Sequence, residues 1–77
     1  MRASLLTIGD ELLSGKTINT NASWISQKLA FEGCSIIRHL TVPDKEEDII
    51  DSLSNLFKLP IDVILCTGGL GPTNDDI

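Results

Sequence analysis

The chain has 77 residues, of which 42% are hydrophobic, and a formal net charge of -5; this allows one small core, in a size range where burial alone leaves stability marginal. The acidic balance, with no Lys/Arg cluster, excludes nucleic acid as a partner, because backbone binding depends on cationic side chains that neutralise phosphates. The apolar stretch at residues 3–8 is interrupted by Gly9-Asp10-Glu11 too early for a signal-peptide core or a membrane span, so a cytoplasmic protein with no membrane partner is expected.

Ser4-Leu5-Leu6-Thr7-Ile8 is an apolar run stopped by Gly9-Asp10, the pattern of a strand buried on both faces. A polar stretch through Ser14-Gly15 follows. Thr20 or Asn21 then caps a helix whose apolar positions Ala22, Ile25 and Leu29 repeat at helical spacing, with Gly33 placed to end it. Trp24 and Phe31 widen that face, and Trp24 reads as core rather than as a stacking platform. Residues 34–42 are rich in β-branched side chains and stop at Pro43, which predicts a second strand, and Arg38 and His39 within it predict a sheet edge.

Asp44 and Glu47 have the spacing of a capping box, with Asp44 as N-cap of a second helix. Ile49, Ile50, Leu53, Leu56 and Phe57 fall on one face of it, and Pro60 ends the pattern. Residues 62–67 form a third strand of buried, parallel character. The order β-α-β-α-β with short connections predicts an α/β fold with a parallel sheet and helices packed against it, half of a doubly wound domain. With strand order 2-1-3, the first and third strands are neighbours at the topological switch point, where ligands favour the crevice. Cys34 and Cys66 then lie on strands separated by the first, roughly 9 to 10 Å apart. No disulfide closes at that distance, and both read as small buried apolar residues in a reducing compartment.

The loop after the third strand, Gly68-Gly69-Leu70-Gly71-Pro72-Thr73-Asn74-Asp75-Asp76, joins backbone-exposing glycines to paired carboxylates. Glycines let main-chain N–H groups approach an anion closely. Adjacent carboxylates repel a bare phosphate unless a hard cation such as Mg²⁺ lies between them. The loop lacks the lysine of a P-loop and the spacing of the dinucleotide fingerprint. Glycines after a strand also simply make turns, and loop aspartates cap helices; Pro72, Thr73 and the pair Asp75 and Asp76 tip the balance toward a site. Asp10 and Glu11 fit equally a solvated turn and, with Asp75 or Asp76, an oxygen-rich cation site. His39 has no ligand or triad pattern near it and reads as a surface or partly buried histidine.

Thr7-Ile8-Gly9-Asp10-Glu11-Leu12-Leu13-Ser14-Gly15, Asn19-Thr20-Asn21, Val42-Pro43-Asp44 and the terminal glycine run together resemble the N-terminal domain of the CinA proteins, within the molybdopterin-binding family that includes MoaB and MogA. The resemblance runs from about residue 4 to the last residue. It implies a three-layer α/β fold, of which this chain supplies the N-terminal half. It also implies a phosphorylated small-molecule ligand (ADP-ribose, a nucleotide or molybdopterin), a divalent metal and a homo-oligomer. In the CinA branch the implied activity is metal-dependent cleavage of ADP-ribose, often beside a separate amidase domain; in the molybdenum-cofactor branch it is magnesium-dependent adenylyl transfer to molybdopterin. Carried over by position are Asp10, Ser14 and Gly15 in the first motif, Asp44 at the start of the second helix, and Gly68, Gly69, Gly71, Thr73 and Asp76 in the last. On this reading Asp44 and Asp76 are catalytic. Gly9, Ser14, Gly15, Gly68, Gly69, Gly71 and Thr73 bind the ligand, and Asp10, Asp75 and Asp76 hold the metal. Leu70 and the Gly-Leu-Gly-Pro-Thr pattern favour the CinA branch.

Overall fold

The computed structural model describes residues 1–16 and 18–68. Along the chain run β1 (Arg2–Ile8), a short α1 (Asp10–Leu13), α2 (Thr20–Phe31), β2 (Ser35–Val42), α3 (Glu46–Leu56) and β3 (Val63–Thr67). The three strands form one parallel sheet in the order β2-β1-β3. β1 is therefore central, and every residue from Ala3 to Ile8 is buried, which is why its run is apolar without alternation.

The two faces of β1 meet different helices. Leu6 and Ile8 form a core with Val42 and Leu56, with Leu40, Ile49, Leu53, Leu59 and Ile64 packed around it, so α3 covers this face. Thr7 points to the opposite face, where Asn19 at the start of α2 bonds to it. Helices on both sides of the sheet give the three expected layers. A register shift between Ala3 and Ser4 leaves Ile37 as an extra residue on β2, an irregularity at home on a strand that, among the described residues, borders the sheet. Arg38 and His39 are exposed there, as anticipated.

Several local expectations are corrected. α2 is capped by Asn19, whose side chain accepts from the Ala22 N–H, rather than by Thr20 or Asn21. It ends in a Schellman arrangement, with the Cys34 N–H on the Leu29 carbonyl at 2.8 Å, the Gly33 N–H on the Ala30 carbonyl at 3.0 Å and Gly33 at φ 85°. Trp24 and Phe31 are not core: they are 65% and 86% exposed. Seven residues apart, they share a stripe of the helix roughly opposite the one formed by Ala22, Ile25 and Leu29.

The expected capping box does not form. Lys45, in extended conformation, flanks α3 with no side-chain cap, because the Lys45 N–H turns back to the Pro43 carbonyl at 2.8 Å and delays the helix by one residue. Glu46, Glu47 and Asp48 in the first turn supply negative charge against the helix dipole instead. Ile49, Leu53 and Leu56 face the sheet, whereas Ile50 and Phe57 are exposed. Both cysteines are free as expected, but only Cys34 is buried; Cys66 is exposed on β3, which has one strand neighbour among the described residues. No helix of the described residues is long and apolar enough to cross a membrane.

Candidate functional site

Register brings the carboxyl ends of the strands level: Ile8 lies opposite Val42, and Thr7 lies opposite both Thr41 and Thr67. The segments that follow therefore leave from one edge of the sheet. The Gly9 N–H donates to the Val42 carbonyl at 3.0 Å, extending the ladder by one bond past the end of β1. One residue further, the Asp44 N–H donates to Asp10 Oδ1 at 3.4 Å. Asp10 and Asp44, 34 positions apart in sequence, thus meet at the lip of the first two strands. Both are exposed. Since Asp44 does not cap α3, the structural role assigned to it by its spacing falls away.

On the other side of β1, Gly68 takes φ 80°, and a Cβ there would collide with the Ile8 carbonyl. Only glycine allows both the left-handed backbone and the close approach to β1. Gly68 is thus set against the Ile8 main chain. Gly9 itself is extended, and a Cβ on it would first meet the end of the Glu11 side chain, at 2.8 Å.

α1 places the remaining residues of the first motif. A polar stretch was all that residues 10–13 suggested; they form one helical turn, closed by the Ser14 N–H on the Asp10 carbonyl at 3.0 Å. The Ser14 hydroxyl donates to the Glu11 carbonyl at 3.3 Å, and Gly15, at φ 82°, has open space around its Cα. Ser14 and Gly15 thus stand one short turn from Asp10, at the outer end of α1. An open depression lined by Lys45, Glu46, Glu47 and Ile50 borders the mouth where α3 begins. Gly69, Gly71, Thr73, Asp75 and Asp76 lie outside the described residues.

Among the described residues no group of three or more His, Cys, Asp or Glu side chains is placed to hold a metal ion. The acidic groups at the mouth, Asp10 and Asp44, offer oxygen donors only, a set that suits a hard cation such as Mg²⁺ and not a soft one. A polar cluster that the sequence did not reveal as such lies beside the mouth on the α2 face: Thr7, Asn19, His39 and Thr41. Its one sequence signal is the Asn19-Thr20-Asn21 motif.

Residues 4–77 match the family described as "Probable molybdopterin binding domain". A CinA-like protein from Citrifermentans bemidjiense is 51% identical over 77 residues, and one from Salinibacter ruber 48% identical over 77 residues; each alignment covers all of this chain and 18% of the relative. A protein from Pyrobaculum calidifontis is 48% identical over 75 residues, which are 97% of this chain and 28% of that protein. The chain therefore spans less than a third of the length of these relatives. Among solved structures, the protein CinA with unknown function from Thermoplasma acidophilum superposes with a TM-score of 0.87 at 37% identity, over 97% of this chain and 44% of that one. The molybdopterin biosynthesis enzyme MoaB from Thermus thermophilus does so with a TM-score of 0.78 at 27% identity, over 97% of this chain and 48% of that one.

Proposed function

The chain belongs to the molybdopterin-binding-domain family, and from that footing we propose that it forms part of a site for a phosphorylated nucleotide-like ligand, at which the protein that carries it hydrolyses ADP-ribose with the help of a divalent cation. The observation that carries this reading is the meeting of Asp10 and Asp44 at the strand edge where the Gly68 turn also begins. Such a place, at the carboxyl ends of parallel strands, is where open α/β sheets bind ligands.

A diphosphate brought against Asp10 and Asp44 is repelled unless positive charge intervenes. Asp10, Asp75 and Asp76 are the residues assigned to hold a divalent cation, most simply Mg²⁺. When bound, that ion supplies neutralisation of phosphoryl charge and polarisation of a phosphorus–oxygen bond. The chain's own groups do the rest. Main-chain N–H groups of Gly68, Gly69 and Gly71 hold one phosphate, Thr73 donates its hydroxyl to it, and Gly9 stands beside the ligand at the lip. Ser14 and Gly15 border its far end. Asp44 takes the proton from the water that attacks phosphorus, one phosphorus–oxygen bond of the anhydride breaks, and AMP and ribose 5-phosphate leave.

The likeness to MoaB favours a second reading, in which the same groups bind a pterin phosphate and support adenylyl transfer. Product analysis separates the two. The first expects AMP from ADP-ribose, with release abolished by EDTA and restored by Mg²⁺, and an Asp76→Ala variant slower by about a hundredfold or more at unchanged fold. No AMP from ADP-ribose in the presence of Mg²⁺ removes the hydrolase reading, and turnover indifferent to both EDTA and Asp76→Ala removes the cation and Asp76 from it.

A further inference from the structure

The chain leaves β1 after Ile8 and comes back to the same strand at Asn19. Asn19 Nδ2 donates to Thr7 Oγ1 at 3.0 Å, while Asn19 Oδ1 accepts from the Ala22 N–H at 3.2 Å. The orientation of the amide follows from its partners: the Ala22 N–H can only donate, so the acceptor atom faces it and the amino group faces Thr7. Thr7 is fully buried, and its hydroxyl also meets Thr41 Oγ1 at 2.8 Å and, at 3.4 Å, the Leu40 carbonyl and His39 Nε2. The partner of Asn19 is thus fixed to β2 as well as to β1.

At the departing end, the Gly9 N–H is held by Val42. The excursion between Gly9 and Asn19 is therefore tied to the sheet at both ends of its base, and it carries Asp10, Ser14 and Gly15. Among the described residues its own bonds are local ones, the Leu12 and Leu13 N–H groups on the Gly9 carbonyl at 3.2 and 3.4 Å and the Ser14 N–H on the Asp10 carbonyl at 3.0 Å. α1 has four residues, too short to hold its own shape, and beyond it the Lys16 N–H reaches back to the Glu11 carbonyl at 3.0 Å. An N-cap needs only an acceptor, which serine or aspartate provides as well as asparagine. The donor half of Asn19 is spent elsewhere.

We propose that Asn19 is a positioning residue whose amino group, bonded to Thr7, closes the base of the excursion and so holds Asp10, Ser14 and Gly15 in place for the ligand. The role assigned to those three residues rests on the functional reading above; the tether itself does not.

Two variants remove the bond from opposite ends. Asn19→Ser keeps a cap for α2 but is too short to reach Thr7, and Thr7→Val removes the acceptor at nearly constant volume. Amide hydrogen exchange of the 77-residue chain reads the effect at Leu12, Leu13, Ser14 and Lys16, with the β1 amides as the measure of global stability. Each variant is expected to speed exchange at those four amides about tenfold relative to β1, the worth of roughly one hydrogen bond. Thr7→Val also removes the contacts of its hydroxyl to Thr41 and Leu40, so the double variant is expected to match Thr7→Val alone at those four amides, the Asn19 bond being already lost in it. Faster exchange confined to Ala22 and Ser23, with the four amides unchanged, would reduce Asn19 to a helix cap and overturn the proposal. Titration with ADP-ribose and Mg²⁺ gives a second arm, in which both variants bind about tenfold more weakly. Wild-type protein carrying the whole domain that binds no ADP-ribose would count against the functional reading, and the exchange result would still decide the tether.

Discussion

Gly68 shows how a single residue can be required by its backbone alone. It combines a left-handed φ of 80° with a path pressed against the Ile8 carbonyl, so a methyl group there meets two obstacles, one torsional and one steric. Gly68→Ala is expected to cost about 1–3 kcal/mol or more, since the colliding atom is backbone and cannot swing aside. Gly9→Ala, at an extended φ and with the movable Glu11 carboxylate as its nearest obstacle, is expected to cost less than Gly68→Ala. Urea denaturation of the two variants checks the order, and equal midpoints would show that the turn at Gly68 relaxes freely. Both glycines were legible in the sequence as turn positions after apolar strands. Which of them is sterically required was not, because that depends on what stands across the turn. Asp44 carries the opposite lesson. Its spacing to Glu47 spelled a helix cap, but Pro43 and Lys45 form a tighter turn that postpones the helix and leave the Asp44 main chain to meet Asp10.

Among the elements, α3 follows its sequence pattern most closely. Ile49, Leu53 and Leu56 pack on the sheet as their spacing requires, whereas Phe57, one residue past the buried Leu56, is 72% exposed. Leu56 is 1% exposed in the core with Leu6, Ile8 and Val42, so Leu56→Ala is expected to cost about 2–5 kcal/mol through lost burial and a cavity. Phe57→Ala, on the exposed side, is expected to stay within about 0.5 kcal/mol. Thermal or urea unfolding distinguishes them, and similar losses from both would mean that α3 packs on a different face. α1 escaped the sequence because four residues carry no periodicity. In α2 the apolar positions form two stripes, and nothing local to the helix says which one finds the sheet; Trp24 and Phe31 lost to the smaller Ala22, Ile25 and Leu29 because the Asn19 cap and the Gly33 stop fix how the helix lies over β1.

At the scale of the whole molecule, the parallel β-α-β-α-β sheet was legible because glycine or proline follows each strand and the helices between them suit right-handed crossovers, whereas the order β2-β1-β3 entered as a supposition that the structure bears out. The order makes β1 central, buries it on both faces and brings Gly9, Asp44 and Gly68 to one edge. The structure also shows a contact at this edge that the sequence did not suggest. Asp10 was paired in the sequence with Asp75 or Asp76, which lie outside the described residues, and the structure joins it to Asp44, a contact that depends on the register between β1 and β2. The central claim is that this edge accepts a diphosphate only with a cation beside Asp10. Calorimetric titration of ADP-ribose into wild-type and Asp10→Asn protein, each with Mg²⁺ and with EDTA, tests it most directly. Heat of binding only in Mg²⁺, and at least about tenfold weaker affinity for Asp10→Asn, is the predicted result; equal affinity in all four titrations would contradict it.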